Sequence, residues 1–259
     1  GSDPNSSCHQ KSRGRLGEQS QSRRGPTRSA LDPDNTHTAR ALTLHVEKHF
    51  IGIKRGTYRV TSAAIDNQIL RERFTRRGGV LLISCYELGH QPLNLASPMA
   101  HLRAAGFHPV AVDTSIETLD DETIREAGFV AISVPMHTAL RLGSRIAERI
   151  RAINQVAHIT FYGLYATLNA EYLLRAHGDS VIGGEYEEAL TALAIVVSYG
   201  EAADSIPGVG TARKHASPIL ERLSFIQPDR KDLSSLRSYA GLEISGVIVR
   251  AGYVETTRG

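Results

Sequence analysis

The feature that most constrains the fold is an alternation that begins at Gly79. Five short runs rich in apolar residues follow it: VLLISCY (80–86), FHPVAVDTS (107–115), FVAISVPM (129–136), AHITFYG (157–163) and DSVIGG (179–184). Each precedes a segment of helical character: LASPMAHLRAAG (95–106), LDDETIREAG (119–128), TALRLGSRIAERIRAIN (138–154), LNAEYLLRAHG (168–178) and EYEEALTALAIVVSYG (185–200). An unbroken apolar run suits a strand covered on both faces. Glycines such as Gly106 and Gly128 are natural helix ends, and the acidic start of LDDE is a helix-start signal. Strands that alternate with helices make a parallel sheet with helices on both faces, and right-handed crossovers leave few strand orders. The expected fold class is α/β: a flavodoxin-like (Rossmann-like), doubly wound, five-stranded parallel sheet over residues 79–200. Such folds bind ligands outside the C-terminal ends of their strands, near the point where strand order reverses. The loops after Cys85, Val134, Gly163 and Gly183 are therefore the places to look for a site.

The flanks follow other rules. Residues 1–40 are rich in Ser, Gly, Arg, Pro and Asn and nearly free of apolar side chains. Such a composition cannot bury enough surface to offset chain entropy, so a disordered tail is expected. In residues 41–78, LTLHVEKHFIGI suits a short strand or a helix, and AAIDNQILRERF has helical spacing at Ile65, Ile69 and Phe74. Residues 1–78 together are expected to be a disordered or poorly structured basic lead-in. Arg71, Arg73, Arg76 and Arg77 form either a phosphate-binding stripe or a solvated face. Residues 201–259 contain Pro207, Pro218, Pro228 and several glycines, and read as a turn-rich connector. The tail GVIVRAGYVETTRG then reads as a pair of short strands or one strand.

Charge and cysteine usage exclude several function classes. The net charge of +3 divides unevenly: residues 1–78 hold 15 Lys/Arg against 7 Asp/Glu, and the remainder hold 15 against 20. The part that reads as folded is acidic, and the basic lead-in has no interleaved aromatics on which bases could stack, so no nucleic-acid partner is expected. No apolar run approaches the roughly 20 residues of a membrane span, and no secretory signal core is visible, so the expected location is cytoplasmic. Cys8 and Cys85 cannot build a disulfide scaffold or a four-cysteine metal site.

The candidate loops carry modest chemistry. The first holds Glu87, Leu88, Gly89, His90 and Gln91. His90 can ligate a metal, donate a hydrogen bond or face solvent, and a meeting of Glu87, His90 and His137 would make a metal site. The second holds Ser133, Met136 and Thr138, whose hydroxyls either cap a helix or line a buried ligand. The third holds Gly163, Leu164 and Tyr165, and the fourth Gly183, Gly184 and Glu185. Glycine at a strand end either permits close approach by a flat ligand or only shapes a turn. Dinucleotide, Walker and nucleophile-elbow motifs are all missing. Cys85 is either reactive or a small buried residue, and no catalytic residue is assigned.

Taken together, VLLISCYELGHQPLNLASPMAHLRAAGF, ISVPMHTALRL, FYGLYATLN and VIGGEYEEALTAL resemble the cobalamin-binding domain at the N-terminus of radical S-adenosylmethionine enzymes. The nearest subgroup is the one with a Cys- or selenocysteine-Ala-Glu-Pro tail. The resemblance spans about residues 79–259 and includes FIQPDRKDLSSLRSYA, similar to the family's Pro-Asp-Arg segment before its catalytic barrel. Gly252–Gly259 resembles the strand that leads into the family's CxxxCxxC loop. The resemblance implies that this chain is a cobalamin-binding fragment. The radical barrel in cis, with S-adenosylmethionine and a [4Fe-4S] cluster, would lie in a missing part, and the chain alone would lack radical activity. It also implies that Ser133 and Thr138 approach the nucleotide tail of cobalamin while Gly163 and Gly184 flank its groove. Histidine-ligated members carry Asp-x-His-x-x-Gly, whereas here Leu88 and Leu93 hold the Asp and Gly positions. The expected state is base-off cobalamin without a strong His90–cobalt bond. Two other readings compete. One is a pseudo-cobalamin fold that serves as a docking domain. The other is a flavodoxin-like signalling domain, for which Asp113 is the sole strand-end aspartate.

Overall fold

In the computed structural model, residues 66–252 apart from residue 222 are described. The expected tail over residues 1–40, the ambiguous LTLHVEKHFIGI and the final strand over 253–259 lie outside the described residues. The first described element is α1, Asp66–Thr75. After it come β1 (Val80–Ser84), α2 (Leu93–Ala104), β2 (Val110–Asp113), α3 (Asp121–Glu126), β3 (Phe129–Ser133) and α4 (His137–Ile153). The chain continues through β4 (His158–Tyr162), α5 (Leu164–Leu168), α6 (Ala170–Ala176), β5 (Ser180–Ile182), α7 (Glu187–Ser198) and β6 (Val209–Thr211). It closes with β7 (Gly241–Ile244) and β8 (Val247–Arg250).

The sheet order is β2-β1-β3-β4-β5-β6. The first five strands are mutually parallel, which is the doubly wound order expected of the α/β alternation. The sixth strand corrects the expectation of a five-stranded sheet followed by a mere connector. Val209–Thr211 pairs antiparallel with β5 and covers an edge that would otherwise expose unpaired backbone groups.

Alternate residues of each strand supply two cores. Val80 and Leu82 of β1, with Phe129 and Ala131 of β3, pack toward α2 and α7. Leu81 and Ile83, with Val130 and Ile132, pack toward α3 and α4. Both faces are covered, so β1 and β3 are buried at every position. The packed body also reaches upstream of residue 79. Phe74 of α1 joins the α2/α7 core, and its ring lies 2.8 Å from where a Cβ on Gly128 would sit. The helical spacing at Phe74 therefore reports a packed face.

Two local features depart from the sequence pattern. The expected helix over 168–178 is α6, and an additional short helix, α5, precedes it; the two part at Asn169, whose amide donates to the Tyr165 carbonyl at 2.9 Å and so competes with the backbone. The first strand of the tail, β8, pairs with β7 just upstream of it in a hairpin turned by Ser245 and Gly246, both at positive φ. Two such residues make the tight turn whose twist matches the strands it joins.

Candidate functional site

The strand registers place Asp113, Ser84, Ser133, Tyr162 and Ile182 side by side at the C-terminal ends of β2, β1, β3, β4 and β5. They share the phase of Leu82 and Ala131, so they face α2 and α7. Asp113 is satisfied locally: its Oδ1 accepts from the backbone NH (3.0 Å) and hydroxyl (2.7 Å) of Ser115. Ser84 and Ser133 differ. Both are 1% exposed, and neither hydroxyl has a partner at full hydrogen-bonding geometry, although Ser133 lies close enough to the Tyr162 phenol to favour its charged form. A buried hydroxyl without a partner costs about 1–3 kcal/mol, so two of them abreast form an unusual feature.

Beside them lies a satisfied network. Pro98 sits inside α2 and has no NH, so the carbonyl of Asn94 loses its helical donor. The Tyr162 hydroxyl donates to that carbonyl at 2.6 Å. The Tyr186 hydroxyl donates to Asn94 Oδ1 at 2.7 Å, and the two rings pack 4.8 Å apart. Burial, reinforced by the charge of Glu87, pushes the Tyr162 phenol well above its ordinary range. Deeper along α7, buried Glu187 accepts from Ser97 Oγ at 2.6 Å; its place in the first helical turn sets its charge against the positive end of the helix.

The loop after β1 is held from outside. Glu87 is buried and Leu88 is exposed, with Leu88 at φ +53° and Gly89 at φ +78°. His90 is half-buried, and its NH donates to the Glu87 carbonyl at 2.9 Å. Gln91 is buried, and both ends of its amide are engaged: Nε2 donates to the Ser234 carbonyl (2.9 Å) and Oε1 accepts from Arg230 (2.8 Å). A Cβ on Gly89 would lie 3.0 Å from Ala240 Cβ. Tyr239, from the same later segment, has a buried hydroxyl; burial and then the charge of Asp113 push its phenol up.

The other loops lie along the same edge. Met136 precedes α4 without a side-chain cap bond, Thr138 is exposed in the first turn, and Leu164 is exposed while Tyr165 is half-buried. Gly163 adopts φ +106°, and a Cβ there would lie 3.3 Å from the Val134 carbonyl. A Cβ on Gly183 would meet Thr167 at 2.4 Å, and one on Gly184 (φ +68°) would meet the Ile219 carbonyl at 2.2 Å. The Glu185 NH donates to that same carbonyl at 2.7 Å. On the side where a Cβ would stand, the close approach these glycines permit is made by the protein's own chain.

Other sequence candidates resolve differently. Burial pushes the Cys85 thiol up to about 12, so it behaves as a small buried residue. Among the described residues no group of three or more His, Cys, Asp or Glu is arranged to hold a metal, so Glu87, His90 and His137 do not assemble as such a site. Arg73 and Arg76 donate to the carbonyls of Ala127 and Glu126, and Arg71 lies over the Tyr199 ring at 5.1 Å. Those contacts tie the basic stripe to the fold. Ser84, Asn94 and Tyr186 were not singled out by sequence. Only the register of β1 against β3 brings Ser84 beside Ser133.

Residues 79–194 match the B12 binding domain. All four candidate loops and the Ser84–Ser133 pair fall inside that B12-binding stretch, whereas β6, the segment around Arg230 and the β7–β8 hairpin lie beyond it. Two solved structures of the radical S-adenosylmethionine methyltransferase TsrM from Kitasatospora setae are similar to the chain. One has tryptophan substrate and the analogue aza-SAM bound, the other cobalamin and a [4Fe-4S] cluster. Each is 19% identical with a TM-score of 0.44, and the alignments cover 52% and 54% of this chain. They cover only 29% and 30% of the TsrM chains, so this chain spans under a third of their length. No curated protein matches the chain. Among the described residues no helix is long and apolar enough to cross a membrane.

Proposed function

We propose that this chain is the cobalamin-binding module of a radical S-adenosylmethionine protein, working in the cytoplasm beside a barrel in cis that supplies S-adenosylmethionine and a [4Fe-4S] cluster. The observation that carries the reading is the unsatisfied Ser84–Ser133 pair inside the stretch that matches the B12 binding domain. Buried hydroxyls without partners fit a ligand that brings its own hydrogen-bonding atoms. In this reading Ser133, Ser84 and Thr138 hold the nucleotide tail. Met136, Leu164, Tyr165, Leu88, Gly89 and His90 shape the rim, together with the backbone around Gly183, Gly184 and Glu185. Glu87 is a buried wall at the same edge. Bound cobalamin would supply a cobalt centre able to carry a methyl group; the protein's part is to hold and orient it and to keep water away. Leu88 and Leu93 stand where histidine-ligated domains have Asp and Gly, so the bound form is base-off with no strong His90–cobalt bond.

Absorbance titration of the full chain with hydroxocobalamin tests the reading. A saturable spectral change, lost in Ser133→Leu, is expected. In the reduced cob(II)alamin complex, nitrogen splitting that vanishes in His90→Ala would overturn the base-off assignment. One observation favours a second reading, a pseudo-cobalamin fold that docks other domains without corrin. Tyr162 and Tyr186 already bridge β4 to α2 through Asn94 and fill interior space on this face. A titration without spectral change at high cobalamin concentration would favour it.

A further inference from the structure

The loop after β1 holds an exposed non-glycine residue, Leu88, at φ +53°. A bulky side chain in the left-handed region is strained and persists only where its surroundings over-determine it. The surroundings here come from far along the chain. The Ala240 NH donates to the Gly89 carbonyl at 2.9 Å. Arg230 donates to Gln91 Oε1 at 2.8 Å, and Gln91 Nε2 donates to the Ser234 carbonyl at 2.9 Å. Ser234 Oγ donates to Glu117 beyond β2. At the other end the Asp229 NH donates to the Ala96 carbonyl of α2 at 2.9 Å, and Arg103 of the same helix pairs with Asp229 and Asp232. Residues 229–240 are therefore bonded at both ends and in the middle to α2, the β1 loop and the turn after β2.

We propose that Asp229–Ala240 is a strap that fixes the conformation of the β1 loop, with Gln91 as its positioning residue, so that strap closure and ligand binding at this edge are coupled. Both ends of the Gln91 amide are engaged within the protein. It acts through the loop, holding Leu88, Gly89 and His90 in one arrangement. The coupling is reciprocal: a ligand that prefers the strapped loop tightens the strap by the factor by which the strap tightens the ligand. The strap runs directly into β7, so whatever pairs with or covers that exposed hairpin acts on the same element. The proposal takes only the ligand's identity from the cobalamin reading.

Amide hydrogen exchange on the full chain tests the strap without any corrin. Arg230→Ala should speed exchange at His90 and Ala240 by about tenfold while amides of β3 stay unchanged. Arg230→Lys keeps a donor for Gln91 Oε1 and should restore most of the protection. Unchanged exchange in Arg230→Ala would overturn the strap. The second arm adds hydroxocobalamin. In the wild-type chain the Ala240 amide should slow on binding. Arg230→Ala should weaken binding by about the same factor, with Arg230→Lys recovering it. Faster exchange with unaltered affinity would overturn the coupling. If the wild-type chain binds no hydroxocobalamin, the cobalamin reading fails, and the exchange arm alone still decides the strap.

Discussion

Polar side chains are buried at both ends of the sheet, and at one end two of them, Ser84 and Ser133, lack the partners that Asn154, His158 and Asp179 have at the other. Where the parallel strands begin, Asn154 donates to the carbonyls of Ile124 (2.7 Å) and Ala127 (2.8 Å) and accepts from the Ala157 NH (3.2 Å). His158 Nε2 lies 2.9 Å from Ser180 Oγ, and its ring stacks on Phe129. Asp179 accepts from the Ile159 NH and from Arg151, each at 2.8 Å. Where the strands finish, Ser84 and Ser133 carry hydroxyls that nothing satisfies. At the first end these three residues close their hydrogen bonds within the protein and stabilise the fold. The second leaves them open, a cost in the free protein that a ligand can repay. Buried polar residues thus stabilise the fold at one end, while the open pair at the other belongs to the proposed binding edge.

The largest effect that can break this contrast is at Asn154. Asn154→Leu removes one amide that serves several buried backbone groups and leaves them without partners. It should destabilise the protein by about 3 kcal/mol in denaturant unfolding. A loss below about 1 kcal/mol would mean that water reaches those groups, and the first end would not be the sealed one. His158 comes next. Burial holds its pKa down from 6.5 to about 4, partly offset by the charge of Asp179. The folded state therefore keeps the ring neutral while the unfolded chain takes up a proton first. The group's contribution to stability is full above about pH 6.5 and is lost as pH falls toward about 4. Unfolding free energy should drop by about 2 kcal/mol between about pH 7 and pH 5, and His158→Gln should remove most of that slope. An equal slope in the variant would assign the drop to other groups.

How much of this was legible beforehand depends on the range of the interaction. The five parallel strands were readable because covering a strand on both faces demands an apolar run, and VLLIS and FVAIS state that locally. Strand β6 was not. Val-Gly-Thr has no period of its own, and only the exposed edge of β5 calls for it. Gly163, Gly183 and Gly184 could be marked as close-approach points, but not what approaches them, since Val134, Thr167 and Ile219 are brought there by the fold. Ser133 was readable as a strand-end hydroxyl, whereas Ser84 closes an apolar run and gains meaning only from its register against Ser133. Gln91 is a candidate site residue by sequence, but its partners, Arg230 and Ser234, lie about 140 residues away and leave no local signal.

The smallest predicted effect sharpens the contrast most, because it applies one substitution to both ends. Ser180 and Ser133 are both buried serines on strands that face the same side of the sheet. The Ser180 hydroxyl lies 2.9 Å from His158 Nε2, whereas the Ser133 hydroxyl only neighbours the Tyr162 phenol, whose own hydrogen bond goes to Asn94. Serine to alanine removes one oxygen at either place and leaves a void too small to dominate. At Ser180 the change strips a partner from a buried imidazole and should destabilise the free protein by about 1 kcal/mol. At Ser133 it removes a group that folding has desolvated without compensation, so the free protein should become more stable by about 1 kcal/mol. Ser84→Ala should behave as Ser133→Ala does. Saturating hydroxocobalamin should narrow the gain at Ser133, because the ligand's hydrogen bond is then lost along with the desolvation cost. Denaturant unfolding of the three variants, with and without ligand, measures all of this. Two destabilising serines at the C-terminal end would mean that those hydroxyls find water in solution, and the two ends of the sheet would then differ in accessibility rather than in satisfaction.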